Sequence, residues 1–227
     1  MNLADLWAEI ESEHQWRSDE LRFFRNQISQ LESESERQVF RKALVLLLYA
    51  HFEGFCKFAF AHYIKAVNSE GLACGDVNFA LATASLFGLF KELRNPKSKA
   101  VEFKNKLPED AKLHQFARDR EFLEGAHEYQ KKGVAIPDEV VDTESNLKPL
   151  VLRKNLYRIG FPHDKFHSLE GQIDKLLNYR NKIAHGVIVA GIERKVYEEL
   201  ENDVKMIIFQ IKSDIMNALS TKAYLRS

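Results

Sequence analysis

Residues that break helices or form covalent links are scarce in this chain. Its 227 residues include only ten glycines, five prolines and two cysteines. Few glycines and prolines, together with a hydrophobic content of 45%, favour a helical fold with a substantial core. Cys56 and Cys74 lie in unrelated contexts without CxxC spacing, which argues against a disulfide framework or a zinc–thiolate site. We therefore predict one all-α domain over residues 1–227, with two free thiols.

The chain also lacks a charge excess and a long apolar run. Its 33 basic and 33 acidic residues cancel, so nucleic acid would have to meet a local patch rather than a global field. The longest apolar stretch, residues 43–50, is well short of the roughly 20 residues that span a bilayer. No basic segment followed by an apolar run opens the chain, so no signal peptide is predicted. We expect a cytoplasmic protein without membrane contact.

Motifs that hold cofactors or metals are missing as well. The sequence has no Gly-rich phosphate loop, no GxSxG elbow and no paired carboxylates in a recognisable motif. His163 and His167 have the i, i+4 spacing of a helical metal site, and Pro162 before them suggests a helix start. No third ligand is evident, whereas catalytic zinc requires three protein ligands. We therefore predict no metal and no cofactor.

Apolar spacing divides the chain into amphipathic helices and one helix that is apolar nearly all round. The latter spans residues 36–67, is apolar nearly all round between residues 43 and 60, and belongs in the middle of a bundle. Residues 95–146 contain proline, glycine and dense charge, and we interpret them as a peripheral insertion of short helices with a loop at 133–143. The other helices are predicted as follows: two within 3–35, one through Leu81, Leu86 and Phe90 with Asp76 as its N-cap, then 150–159, 164–184 and 193–219.

The segment Arg180–Gly186, which reads Arg-Asn-Lys-Ile-Ala-His-Gly, places a cation in an apolar stripe. Arg180 follows Ile173 by two helical turns. A buried guanidinium is costly without an anion, so Arg180 should meet either a carboxylate of the fold or an anionic ligand such as a phosphate. Arg180 and His185 are about 140° apart on an ideal helix, so the helix must end at the motif if they are to converge. Gly186 is the natural residue to end it.

These residue types suit RNA cleavage without metal. That reaction needs a base for the 2′-hydroxyl, an acid for the leaving 5′-oxygen and positive charge beside the phosphate, and Arg180, Asn181 and His185 can supply such groups. One copy offers one histidine, so two copies across a twofold axis would form a more complete site. The alternative is structural: Arg180 pairs with a buried carboxylate, and His185 only ends a helix.

The motif and two further segments resemble the HEPN domain. The segments are Leu46–Phe55 and Thr143–Leu147, the latter leading into Val151–Gly160, and together they are similar to the MAE-type HEPN families found beside defence and toxin genes. The resemblance implies a HEPN-like bundle with additional N-terminal helices, which dimerises with its motifs facing each other. It also implies a metal-independent endoribonuclease of a toxin–antitoxin or antiphage system, with a cognate antitoxin as a further partner.

Carried over to this chain, the resemblance makes Arg180 and His185 catalytic, with Asn181 the polar residue that follows the arginine. Because some HEPN relatives are inactive, the alternative is a silent module that binds a nucleotide or RNA, or scaffolds a partner. A carboxylate in the central helix, Glu53, with Tyr49 one turn before it, would support Arg180 or His185.

Two of these residues also have plainer interpretations. Glu53 would instead form an i, i+4 pair with Lys57. Lys182 points away from the apolar stripe, so it either contacts RNA phosphates or is a solvated surface lysine.

Overall fold

The computed structural model describes residues 2–103 and 110–226. Within these ranges the chain forms helices and no β-strand beyond isolated bridges, so the predicted all-α class is confirmed. Eight α-helices are described: α1 Leu3–Ser29, α2 Glu34–Asn68, α3 Phe79–Ser85, α4 Phe87–Arg94, α5 Ala111–Lys131, α6 Pro149–Arg158, α7 Glu170–Ala184 and α8 Arg194–Ser220.

Helix α2 is the central element, as its apolar sequence predicts. It begins after Ser33, whose hydroxyl accepts a hydrogen bond from the Glu36 amide. Helices α1, α7 and α8 pack around it. By length and composition α2 is also apolar enough to cross a membrane. However, 56% of its apolar 18-residue window is buried against the rest of the described chain, as in a core helix. Burial on several faces accounts for its lack of a polar side.

The prediction of two helices within residues 3–35 is wrong, because α1 continues from Leu3 to Ser29. Its apolar stripe lapses between Ile10 and Leu21, and Arg17 fills that gap as a buried residue. Arg17 forms an ion pair with Glu13, one turn earlier, and this pair stabilises the helix where the apolar stripe is interrupted. With no glycine or proline in this stretch, nothing interrupts the helix.

The helix predicted after Asp76 has a different N-cap in the structure and is divided into two helices. Asn78 is the N-cap of α3, and its side-chain oxygen accepts a hydrogen bond from the Leu81 amide. The Asp76 carboxylate instead accepts from the Ala73 amide, which closes the preceding turn. The helix also breaks at Leu86, so α3 and α4 are separate elements.

Residues 95–146 are neither all short-helical nor all peripheral, which corrects that part of the prediction. Helix α5 is 21 residues long, and its N-cap is Asp110, whose carboxylate accepts from two backbone amides. It packs on α4, where the Phe90 and Phe122 rings are 5.7 Å apart. After α5 the chain returns to the core through the buried side chains Val134, Ile136, Val140 and Val141. Residues 104–109 of the predicted insertion lie outside the described residues.

The last three helices place the motif. Helix α6 starts with Pro149 and ends before Gly160, which has φ +85°. Helix α7 begins at Glu170, six residues later than predicted, because turns and a short 3₁₀ segment, His167–Leu169, precede it. Helix α8 closely follows its predicted range. The C-terminal end of α7 therefore lies against α2, beside the loop that leads into α6.

Candidate functional site

Helix α7 ends within the Arg180–Gly186 motif, as predicted. His185 is its C-cap, and Gly186 has φ +69°, a left-handed conformation that favours glycine. The Val187 amide donates to the Lys182 carbonyl oxygen at 2.8 Å, which closes the helix end. This local geometry places the His185 side chain on the surface.

Arg180 is half-buried and has only neutral hydrogen-bond partners among the described residues. Its Nη1 donates to the side-chain oxygens of Asn146, at 3.0 Å, and Asn181, at 2.8 Å. Its guanidinium carbon lies 5.1 Å from the centroid of the Tyr49 ring. The expectation of full burial is therefore wrong, and within the described chain no carboxylate forms an ion pair with it. Amide oxygens orient the guanidinium without cancelling its charge.

Tyr49 connects α2 to the loop before α6. Its phenolic oxygen accepts a hydrogen bond from the Leu147 amide at 2.8 Å, and its side chain is buried. Burial, followed by the negative charge of Glu53, raises the pKa of Tyr49 well above its usual value. The phenol is therefore neutral at physiological pH, and it serves as an anchor rather than as a proton-transfer group.

The turn that presents Asn146 has an unusual backbone. Glu144 and Ser145 both have left-handed conformations, with φ of 50° and 62°, although neither is glycine. Each such residue costs about 1–3 kcal/mol. The Asn146 amide donates to the Thr143 carbonyl oxygen, and Lys154 forms an ion pair with Glu144. These contacts offset the strain and direct the Asn146 side chain toward Arg180.

Asn146 is a site residue that sequence reasoning missed. It lies 34 positions before Arg180, and no periodicity links the two. The only signal was its place in Thr143–Leu147, a segment quoted for family resemblance rather than for chemistry.

The remaining predicted site residues, Glu53, Lys182 and His185, have no described hydrogen bond to Arg180. Glu53 is half-buried and acts on Tyr49, whereas no described contact joins it to Arg180, His185 or Lys57. Lys182 is exposed. In the part of the chain that the structure describes, the His185 imidazole forms no hydrogen bond with Arg180 or Asn181. One chain thus brings Arg180, Asn181 and Tyr49 together and leaves His185 facing solvent.

An apolar surface lies beside the motif. Its members, Val39, Phe40, Val187 and Val189, are between 50% and 83% exposed, and we call them the valine patch. The loop after the motif is fixed to the start of α2: the Lys42 amine donates to the Val189 carbonyl oxygen, and the Ile192 amide donates to that of Gln38. Clustered exposed apolar groups of this kind mark interaction surfaces.

The histidine pair outside the motif does not lie on a helix. His163 is in the turn that precedes α7, and His167 opens the 3₁₀ segment, so the shared helical face does not form. His167 Nδ1 lies 2.9 Å from Arg153 Nη2 and 3.3 Å from a Glu170 oxygen. Among the described residues no group of three or more histidine, cysteine or acidic side chains is placed to hold a metal ion.

Comparison with known proteins gives one result. A family model described as RiboL-PSP-HEPN matches residues 12–217, which include α2 to α7 and most of α1 and α8. The match confirms the predicted HEPN membership, while the narrower MAE-type assignment is not confirmed. No curated protein and no solved structure matches the chain.

Proposed function

The chain belongs to the RiboL-PSP-HEPN family, and we propose that it is a metal-independent endoribonuclease that uses Arg180, Asn181 and His185. The family match itself is consistent with an RNA-binding or nuclease role. The observation that carries the proposal is the Arg180 guanidinium, which in the described structure has only neutral hydrogen-bond partners and lies five positions before an exposed histidine. A phosphate is the anion that such a site suits.

In the proposed reaction the 2′-hydroxyl of RNA attacks the adjacent phosphorus as a base removes its proton. The bond to the 5′-oxygen then breaks, and an acid protonates that leaving oxygen. The products carry a 2′,3′-cyclic phosphate and a 5′-hydroxyl. His185 acts as the general base or acid, and Arg180 stabilises the negative charge that develops on the phosphorus-bound oxygens. Asn181 orients Arg180, and Lys182 contacts a neighbouring phosphate.

Tyr49 and Glu53 support the site indirectly in this proposal. The Tyr49 ring supports the Arg180 guanidinium, and its hydroxyl fixes the loop that presents Asn146. Glu53 favours the neutral phenol through its charge. Both residues therefore position Arg180 and do not contact RNA.

The second catalytic histidine comes from another copy of the chain in this proposal. Base and acid act on opposite sides of the phosphorus, and one chain offers a single motif histidine. The valine patch adjoins His185 and is the surface that a twofold-related copy would cover. Two motifs would then share one composite site.

The proposal also includes a biological role and a cellular location. We place the chain in the cytoplasm as a toxin or antiphage effector, restrained by a cognate antitoxin protein. Its support is the HEPN resemblance alone. Expression should then arrest growth, and His185→Ala should relieve the arrest while the variant stays folded.

A catalytically silent module is the second candidate. The observation that favours it is that, among the described residues, the exposed His185 forms no hydrogen bond with Arg180, and a histidine without a partner has no assembled chemistry. Such a module would bind RNA or a nucleotide through Arg180 and would not cut it.

The test is RNA cleavage in EDTA. Wild type is incubated with total RNA beside Arg180→Ala and His185→Ala, with His127→Ala, an exposed histidine of α5, as the matched control. We expect wild type and the control to cut equally, and both motif variants to lose about 10²-fold or more. Intact RNA with wild type, or equal cleavage by all four proteins, contradicts the proposal. Retained RNA binding without cleavage would favour the silent module.

A further inference from the structure

An aromatic groove of about 710 Å³ lies between the start of α3, the end of α6 and the turn after α8. Two of its aromatic side chains face solvent: Phe79 is 74% exposed and Tyr157 is 68% exposed. The two rings flank one concave surface, and exposed apolar groups that share a concavity mark a binding surface more than isolated ones do. The residues that define the groove for this argument are Phe79, Tyr157, Phe161, His163, Lys222 and Arg226.

The charge of the groove is positive. Its lining contains Lys222 and Arg226 and no acidic side chain. The Arg226 guanidinium carbon lies 4.5 Å from the Phe79 ring centroid, and its nitrogens donate to the Val77 and Cys74 carbonyl oxygens. Backbone carbonyls therefore hold this cation in place without neutralising it, which leaves its charge available to an anion.

The walls of the groove are fixed to one another. The Asn78 amide donates to the Tyr224 carbonyl oxygen at 2.9 Å, and the Arg226 amide donates to that of Asp76 at 2.8 Å. At the third wall Gly160 has φ +85°. A Cβ atom there would come within 2.8 Å of the side-chain amide nitrogen of Asn78. The groove is thus formed before any ligand binds, which lowers the cost of binding.

The groove lies toward the opposite end of α2 from the motif. Arg180 packs on the Tyr49 ring, and Phe161 of the groove packs on the Tyr63 ring at 5.1 Å. The two tyrosines are 14 positions apart in α2, and a rise of about 1.5 Å per residue separates them by about 21 Å. A stacked single strand with a rise of about 3.4 Å per nucleotide covers that distance with about six nucleotides.

We infer that the aromatic groove binds single-stranded RNA outside the cleaved bond. Bases stack on Phe79 and Tyr157, and Lys222 and Arg226 pair with phosphates. Exposed aromatic rings beside uncompensated cations are the arrangement that single-strand binders use, and it is tolerant of base sequence. The inference rests on the proposed function for its ligand class. It adds a second contact, so strands long enough to reach both sites bind better than short ones.

The test uses 12-nucleotide single-stranded RNA with 2′-O-methyl groups, which lacks the attacking hydroxyl and cannot be cut. Its affinity is measured for wild type, Phe79→Ala, Tyr157→Ala and the double variant. Phe116→Ala, on the exposed side of α5, is the matched control. Because both groove rings are mostly exposed, the variants should keep the wild-type melting temperature.

Each aromatic substitution is expected to weaken binding about 5- to 100-fold, whereas Phe116→Ala leaves it unchanged. Lys222→Gln should lower the slope of log affinity against log salt by about one. Equal affinity of the double variant and Phe116→Ala overturns the inference and assigns the groove to a protein segment. Because the RNA is uncleavable, a loss of binding in the double variant supports the groove even if wild type cuts no RNA.

Discussion

Two arginines, Arg17 and Arg180, each take a place in an apolar helix stripe, but their partners differ. Arg17 is 9% exposed and forms an ion pair with Glu13, so its charge is compensated within the chain. Arg180 is half-buried, and in the described structure its hydrogen-bond partners are the neutral amide oxygens of Asn146 and Asn181. The same sequence oddity thus has two meanings. Arg17 completes a helix interface, whereas Arg180 keeps a charge that the proposed function assigns to an RNA phosphate.

Asn146 offers a direct test of that distinction. Asn146→Asp places a carboxylate on Arg180, so it should compete with the RNA phosphate and lower cleavage more than Asn146→Ala, which only removes an acceptor. We expect losses of about 10-fold for alanine and about 10²-fold for aspartate, measured as initial rates on one RNA. Both variants should retain the wild-type free energy of unfolding within about 1 kcal/mol, since the side chain is only half-buried. Wild-type activity in Asn146→Asp would contradict the role given to Arg180.

At the scale of elements, helix α1 is joined to its neighbours by two buried histidines and one half-buried histidine. His51 and His62 of α2 lie 2.8 Å and 3.0 Å from carboxylates of α1, and His14 of α1 lies 3.1 Å from the Lys212 amine of α8. Burial is the main cause that lowers the pKa of each of these three histidines. The interface is therefore built for neutral imidazoles.

This interface predicts a loss of stability in acid. The unfolded histidine has a pKa near 6.5, and the folded value is lower, so the unfolded chain binds more protons. The stabilisation is fully present above about pH 6.5 and decreases as the pH falls through that value toward the folded pKa. Urea unfolding at pH 7.5, 6.5 and 5.5 should show this decrease, and His51→Gln should reduce its slope. His127→Gln, on the exposed surface, should leave the slope unchanged; an equal slope in both variants would contradict the account.

Helix ends could be predicted where one residue decides them, and elsewhere they could not. Gly160 and Gly186 end α6 and α7 as predicted because each has a backbone conformation that favours glycine. The split of α1 was wrong because Arg17 substitutes for an apolar residue, which a search for apolar spacing cannot recognise. The α3 cap was wrong because Asp76 and Asn78 are both good caps, and only the folded turn selects one.

The contacts of the candidate site could likewise be predicted only in part from the sequence. Arg180 and Asn181 adjoin in sequence, so their contact follows from the motif. The contact of Arg180 with Asn146 depends on how the loop before α6 docks on α2, which no local pattern encodes. Within the described chain no hydrogen bond joins Arg180 to His185, and in the proposed function a second copy supplies the other histidine.

At the scale of the whole molecule, the proposed composite site is formed by two copies of the chain. The valine patch adjoins His185, so a charge in the patch should weaken the dimer and cleavage together. Val189→Glu should shift the chain toward monomer in analytical ultracentrifugation and lower RNA cleavage in proportion to the dimer lost. Phe116→Glu places the same charge on another mostly exposed apolar residue, in α5, and should change neither. A Val189→Glu monomer with full activity would contradict the composite site.

The central claim, that the Arg180–His185 motif cleaves RNA without metal, is tested most directly by the chemistry of the product ends. RNA is treated with wild type and with His185→Ala in EDTA, and the new ends are identified by mass spectrometry. The account predicts 2′,3′-cyclic phosphate and 5′-hydroxyl ends with wild type, and none above background with His185→Ala. Absence of new ends with wild type, or the same ends at the same rate with His185→Ala, would contradict it.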